Sequence, residues 1–249
     1  MNLQDQVAIV TGASSDIGKA ISLGLAEDGA HIVLVGRRIE ALDAISGAIR
    51  DGGGRAHTVC CDVTDGEQVA SMIKGVRTAF DDRIDILVNV AGGTLGFGAP
   101  IWELSESDFN RIVALNLTAT FLTMAAVLPV MVARRSGRVI NIGGTYGMRG
   151  RAGRSAYSAA KWGLRGLTKS AALEAGPFNI CVNCVSPGVV EGPRLDEMSA
   201  EAASRTVENL ALRRVTSPAD IARTVCFLAG EGGRQITGQD LVVDGGSAI

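Results

Sequence analysis

The sequence predicts an α/β fold built on one doubly wound parallel sheet. Two observations carry this: seven short β-branched runs alternate with amphipathic segments, and most of those runs are apolar throughout. Strands covered by helices on both faces have that continuous character, whereas half-exposed strands alternate. A third observation is the length. With 249 residues and neither a repeat nor a linker, the chain fits a single domain over 1–249 with one large core.

The first strand is Val7-Ala8-Ile9-Val10-Thr11, followed by a Gly-containing turn and an Ala- and Leu-rich helix over 17–29. His31 to Val35 forms the second strand, with a helix over 39–51. Ala56 to Cys60 forms the third, with a helix over 65–80. Ile84 to Val88 is the fourth, with a long helix over 107–134, and Arg138 to Ile142 the fifth, with a helix over 155–175. Ile180 to Val185 is the sixth, and a helix over 218–229 leads to the seventh, Leu241-Val242-Val243. Such alternation specifies a Rossmann-type sheet of about seven strands with helices on both faces. The stretch 191–216, with Pro193, Arg194 and Met198, breaks the rhythm after the sixth strand. Ligands bind outside the carboxyl ends of such strands, so this insertion is expected to be a small substrate lid; a surface helix pair is the alternative.

Composition removes several function classes. Hydrophobic residues make up 47% and charged residues 20%, so the chain has too much apolar surface to remain disordered. A net charge of −2 and a pI near 5.8 offer no general attraction for nucleic acid or anionic lipid. Met1 to Asp5 lacks the basic-then-apolar pattern of a targeting segment, so a cytoplasmic protein is expected. The uncharged run Ile112 to Ala133 is interrupted by Asn116, Thr118, Thr120, Thr123 and Pro129 and reads as a buried helix. The five cysteines are expected as free thiols. Cys181 and Cys184 lie three apart in a strand and point to opposite faces, and His31 and His57 have no ligand cluster, so no metal site is expected.

The 32 glycines, roughly twice the average share, suggest close backbone approaches. Thr11-Gly12-Ala13-Ser14-Ser15-Asp16-Ile17-Gly18 joins the first strand to the first helix. A strand–Gly-loop–helix sets backbone N–H groups and a helix N-terminus against a diphosphate. Asp62-Val63 follows the third strand and Asn89-Val90-Ala91-Gly92 the fourth, where further cofactor contacts are expected. Near the end of the second strand stands Gly36-Arg37-Arg38 instead of the carboxylate that would hold an unphosphorylated adenosine ribose. Guanidinium groups there favour a 2′-phosphate, so NADP(H) is expected over NAD(H).

Tyr157-Ser158-Ala159-Ala160-Lys161 lies on a predicted helix, and a spacing of four puts Tyr157 and Lys161 on one face. With these residues the chain resembles the short-chain dehydrogenase/reductase family, which carries a TGxxxGxG loop, an NNAG-like strand end and a YxxxK pair. The resemblance extends through Val182-Asn183-Cys184-Val185-Ser186-Pro187-Gly188 and the ending Ile236 to Gly246, so it covers essentially the whole chain. It implies that Tyr157 is the general acid or base and that Lys161 binds the nicotinamide ribose and lowers the phenol's pKa. It also implies that Asn116 holds a water chain linking the lysine to solvent, and that Pro187, Gly188 and Val190 border the cofactor. Assembly into dimers or tetramers through the helix of Tyr157 and the uncharged face from Met124 to Val132 is a further implication.

The chain departs from the family pattern at three places. Thirteen residues before Tyr157, where the family has a catalytic serine, stands Gly144; Thr145 is the candidate to supply the hydroxyl instead. Gly192 replaces a threonine that contacts the nicotinamide amide. Asp16 replaces a glycine, and its carboxylate is expected to cap the helix or bond to ribose.

Arg149, Arg151 and Arg154 lie between Gly144 and Tyr157, where they are positioned to select an anionic substrate; solvated loop charges are the alternative. Phe97, Trp102, Met148 and Trp162 are candidates for an apolar pocket, with a helix interface as the other reading for Trp162. The expected activity is interconversion of a secondary alcohol and a ketone. One alternative is a 3-oxoacyl carrier-protein reductase. The alternative from another class is a cofactor-binding regulatory or scaffold protein, which the departures at Gly144, Gly192 and Asp16 would suit.

Overall fold

The computed structural model describes residues 2–96, 98–197 and 199–249. Seven parallel strands form a single sheet in the order β3-β2-β1-β4-β5-β6-β7. They are β1 Val7–Thr11, β2 His31–Gly36, β3 Arg55–Cys60, β4 Ile86–Asn89, β5 Gly137–Ile142, β6 Ile180–Pro187 and β7 Asp240–Val243. The helices are α1 Asp16–Glu27, α2 Ile39–Asp51, α3 Gly66–Ala79, α4 Glu106–Val113, α5 Ala119–Arg134, α6 Ser155–Ala175, α7 Pro193–Asp196, α8 Ala200–Glu208 and α9 Pro218–Ala229. Every residue of β1, β4 and β6 is buried, because apolar layers lie on both sheet faces. One layer packs α1, α2 and α9 around Ile21, Leu25, Leu42 and Ile221; the other packs α3, α5 and α6 around Val69, Val127, Met131 and Ala172.

Strand order reverses between β1 and β4, since β1 pairs with β2 on one side and β4 on the other. In a doubly wound sheet the crevice opens there, at the carboxyl ends of the strands. The residues of the site gather at that rim.

The long helix expected over 107–134 is interrupted. Residues Ala114–Thr118 form a π-turn between α4 and α5, with Asn116 at its centre. Such widened turns recur at functional sites. The Glu106–Arg134 segment is long and apolar enough to cross a membrane by composition alone, yet its Ile112, Ala119, Met124, Val127 and Met131 are in the core. Within the stretch Met124 to Val132 expected at a subunit contact, Met124, Val127, Val130 and Met131 are consumed by the core. The outward stripe is instead Phe121, Ala125 and Pro129, spaced by four.

In the segment 191–216, α7 and α8 are the helices, and the only strand-like pairing among the described residues is a bridge between Val190 and Thr216. Glu191 N donates to Thr216 O at 2.9 Å and Thr216 N to Val189 O at 3.1 Å, so both ends of the insertion are fastened together. Beyond α8, Leu210 is buried and Leu212 N donates to Gly245 O, fixing this side to the C-terminal turn. Met198 lies outside the described residues.

Candidate active site

The crevice is lined first by the turn after β1. Gly12 has φ 62°, and a Cβ there would stand 2.7 Å from Ala91 N; a Cβ on Gly18 would stand 2.3 Å from Gly12 O. Only glycine lets the strand end, the turn and the helix approach so closely. Ser15 is the N-cap of α1, its Oγ accepting from Gly18 N at 3.1 Å and donating to Gly12 O at 2.8 Å. This corrects the expectation that Asp16 caps the helix: it is the first helical residue, and the serine before it takes the cap. The first-turn N–H groups of a helix lack intrahelical partners, so this cradle suits a diphosphate.

Beside it, a Cβ on Gly36 would lie 3.7 Å from Ser14 Oγ. Arg38 Nη2 donates to Ser14 O at 2.9 Å and to Ser14 Oγ at 3.3 Å, while Arg37 lies 3.7 Å from the Asp62 carboxylate. The Thr64 backbone N–H, and secondarily its hydroxyl and Arg37, hold Asp62 below the ordinary carboxylate range against the opposing effect of burial. Two guanidinium groups thus flank the point where the second strand ends, with no acid on that strand end itself.

The structure turns two of the expected wall residues inward. Val63 is buried in the core. Asn89 is also buried: its Nδ2 donates to Asn141 Oδ1 at 2.9 Å, and its Oδ1 accepts from Thr123 Oγ1 at 2.7 Å. Asn141 Nδ2 in turn donates to Thr168 Oγ1 at 3.0 Å, so one polar chain ties β4, β5, α5 and α6 together beneath the crevice. Burying so many polar groups is tolerable only because they satisfy each other. Sequence reasoning did not find this chain, whose members look like unrelated Asn and Thr residues on four elements. Toward the crevice, the wall is Ala91 and Gly92, with Ile17 and Val190 packed against the core beside α1.

Tyr157 and Lys161 sit on the first turns of α6. Lys161 Nζ lies 5.6 Å from the Tyr157 ring centre and donates to Ile142 O at 2.8 Å. Burial pushes the lysine down from 10.5 to about 8, with Cys184 opposing weakly. The Cys184 thiol, driven up to about 12 by its own burial, is inert. The Tyr146 ring meets Tyr157 edge-on at 6.1 Å, a contact the sequence did not signal. Asn116 is fully buried: Oδ1 accepts from Gly93 N at 2.9 Å, and Nδ2 donates to Gly93 O and Ile112 O, each at 2.8 Å. It fastens the π-turn to the loop after β4. A Cβ on Gly92 would stand 2.9 Å from Asn116 Oδ1 and 3.4 Å from Lys161 Nζ, which puts all three at one spot.

A Cβ on Gly144 would stand 3.5 Å from Tyr157 Oη. The vacant direction at residue 144 therefore faces the phenol. Gly144 N donates to Ser186 Oγ at 3.2 Å. Thr145 follows in a short turn, Thr145–Gly147, and is buried. Arg165 holds that turn against α6 through Gly147 O at 2.9 Å and pairs with Asp240 of β7 at 2.7 Å.

The three loop arginines have different surroundings. Arg149 Nη1 donates to Ser247 O at 2.9 Å, which anchors the C-terminal tail. Arg151 covers the Tyr146 ring at 5.2 Å and bonds to its hydroxyl. Arg154 borders a small cavity beside Tyr157 with Ala99, Leu104, Ile112 and Gly153. Trp162 is 51% exposed, with Arg165 over its ring at 5.5 Å. Trp102 is 81% exposed, and Phe97 lies outside the described residues.

A family profile described as enoyl-(acyl carrier protein) reductase matches residues 12–248. The chain is 38% identical over 249 residues to a 3-oxoacyl-(acyl-carrier-protein) reductase of Synechocystis, covering 99% of this chain and 98% of the relative. It is 36% identical over 249 residues to a (2S)-((R)-hydroxy(phenyl)methyl)succinyl-CoA dehydrogenase subunit of Thauera aromatica, covering 100% and 99%. The solved structure of an NAD+-bound xylitol dehydrogenase is similar with a TM-score of 0.92 at 31% identity, covering 99% of this chain and 100% of that one.

Proposed function

The chain belongs to the short-chain dehydrogenase/reductase family, and on that premise we propose that it interconverts a secondary alcohol and a ketone, prefers NADP(H), and acts on a substrate bearing an acidic group. The observation that carries the reading is the convergence of Tyr157 Oη, the vacant direction of Gly144 and buried Lys161 at the crevice rim. The glycine cradle fits a dinucleotide because two of its positions exclude any Cβ. Gly12, Ser14, Ser15, Ile17 and Gly18 would hold the diphosphate. Arg37 and Arg38 would hold the 2′-phosphate, with Asp62 and the Val63 backbone near the adenine. Ala91, Gly92, Lys161, Pro187, Gly188 and Val190 would face the nicotinamide half.

The bound nicotinamide supplies or accepts the hydride. In the reductive direction Tyr157 donates its proton to the carbonyl oxygen, and in the oxidative direction it takes the proton back. Lys161 favours the phenolate by its positive charge, and the path returning a proton to solvent passes Lys161 and Asn116. With glycine at 144, the family's serine hydroxyl is absent from that position, and Thr145 is the candidate to assist Tyr157 in polarising the carbonyl. The segment 191–216, hinged at the Val190–Thr216 bridge, closes over the substrate. The protein works in the cytoplasm as a dimer or tetramer, its contacts including Phe121 on α5 and Trp162 on α6, both more than half exposed in the single chain.

Replacing both Arg37 and Arg38 by alanine is expected to lower the ratio of kcat/KM for NADPH to that for NADH at least about tenfold, since a bond to a charged group is worth ~1.5–3 kcal/mol. An unchanged ratio in steady-state assays removes the arginines from cofactor choice.

Arg154 is the loop arginine nearest Tyr157 in the chain, three residues before it, and it is assigned to the substrate's acidic group. Arg154→Met is expected to raise KM for 3-oxo acids or acyl thioesters about tenfold or more, with a much smaller change for a neutral ketone of equal size. Equal changes for both classes refute the assignment. A second reading, 3-oxoacyl thioester reduction on an acidic carrier protein, is favoured by the name of the Synechocystis relative, whereas the Thauera relative is named for a CoA thioester. Comparing one 3-oxoacyl group as free acid, CoA thioester and carrier-bound thioester separates the two.

A further inference from the structure

Two departures from the family pattern that lie far apart in sequence meet in the fold. Asp16 Oδ2 stands 3.1 Å from the point a Cβ on Gly192 would occupy. Gly192 also has φ 135°, a conformation that disfavours any side chain, and a Cβ there would require the Asp16 carboxylate to shift slightly. Ser15 already caps α1, and its Oγ serves Gly18 N, so the Asp16 carboxylate has no capping duty. It reaches across the rim from α1 to the loop after β6.

That loop follows Pro187, the last residue of β6, whose carbonyl lies 4.0 Å from the Cβ direction of Gly144; the same direction is 3.5 Å from Tyr157 Oη. Asp16, the first residue of α1, therefore stands where the diphosphate cradle meets the loop after β6, the loop whose Gly188 and Val190 are assigned to the nicotinamide half. A dinucleotide held by the cradle and by that loop would have this carboxylate beside it.

The dinucleotide's own charges set the sign of the carboxylate's effect. Its phosphates carry the same charge in both redox forms, so their repulsion by Asp16 weakens both forms alike and cancels from the ratio of affinities. The nicotinamide ring is a cation when oxidised and neutral when reduced, and its attraction to Asp16 does not cancel. Resting on the dinucleotide reading of the crevice, we infer that Asp16, given room by Gly192, biases the site toward the oxidised cofactor. For unit charges a crevice width apart the bias is roughly three- to tenfold.

The test is direct titration of NADP+ and NADPH, by calorimetry or by quenching of protein fluorescence, with the full-length wild type, Asp16→Asn and Asp16→Gly. The near-isosteric amide keeps the shape and removes the charge; the glycine variant removes the side chain. Both variants are expected to bind both forms more tightly. NADPH should gain more, so that Kd(NADPH)/Kd(NADP+) falls three- to tenfold, less so at high salt. A ratio unchanged within about twofold in both variants, with binding intact, overturns the inference alone. Absence of binding of either form to the wild type overturns the dinucleotide reading, and this inference with it.

Discussion

Tyr157→Phe is expected to lower kcat by about 10²–10⁴-fold while leaving Kd for NADPH within about threefold, because a positioned acid or base contributes on that scale to the chemical step and not to binding. The phenylalanine keeps the ring, and with it the edge-on contact to Tyr146 and the face presented to Lys161. Only the Oη is lost, the atom toward which residue 144 is directed. The loss should be especially deep here. Where the family has a serine beside the tyrosine, this chain has glycine, so on the proposed mechanism more of the task would fall to the phenol. Stopped-flow absorbance at 340 nm with separate binding titrations checks both halves. Activity within about tenfold of wild type would show that another group transfers the proton.

Lys161→Met is expected to move activity and stability in opposite directions. The ammonium is buried, and its desolvation takes the lysine from 10.5 to about 8. Its folded value thus lies below its unfolded one. The destabilisation from burying the charge is complete below pH 8, fades as pH rises toward 10.5, and is absent above. That gap corresponds to about 3 kcal/mol, from which about 1 kcal/mol is subtracted for the hydrogen bond to Ile142 O that methionine cannot make. Methionine fills a similar volume without charge, so the net gain of about 2 kcal/mol should raise Tm at pH 7 by about 4–8 °C. The wild type should recover stability between pH 8 and 10.5, and the variant should not. Meanwhile kcat should drop by about 100-fold or more, for the phenol loses the charge that eases its ionisation. A variant that is both less stable and less active at pH 7 would show that Lys161 is structural glue and not a tolerated functional charge.

Much of this could be read without coordinates, for identifiable reasons. The runs at Val7, His31, Arg138 and Ile180 are apolar on both faces, and the sheet encloses them on both faces, so pattern and burial agree. Strand ends were less legible: β6 continues through Ser186 and Pro187, because β7 pairs with them although proline and serine are poor strand signals. The Ala114–Thr118 π-turn has no sequence signature; it depends on Asn116 finding Gly93 across the crevice. At the site, the Tyr157–Lys161 spacing is local to one helix and therefore readable. The inward commitment of Asn89 depends on Thr123 and Asn141, 34 and 52 residues away. The placement of Asp16 against Gly192 is of the same kind. Both residues stood out as departures, but only folding makes them one feature.

The claim on which the chemistry rests is that the Tyr157 phenol ionises more readily than an ordinary one because an ammonium is held beside it. The chain has only two tyrosines, Tyr146 and Tyr157, which makes that directly observable. Tyrosinate absorbance at 295 nm, followed against pH in the NADP+ complex, should show one phenol titrating clearly below the ordinary value of about 10. That step should vanish in Tyr157→Phe and move upward in Lys161→Met. Two phenols titrating together at or above about 10, or a low step that survives Tyr157→Phe, would contradict the account.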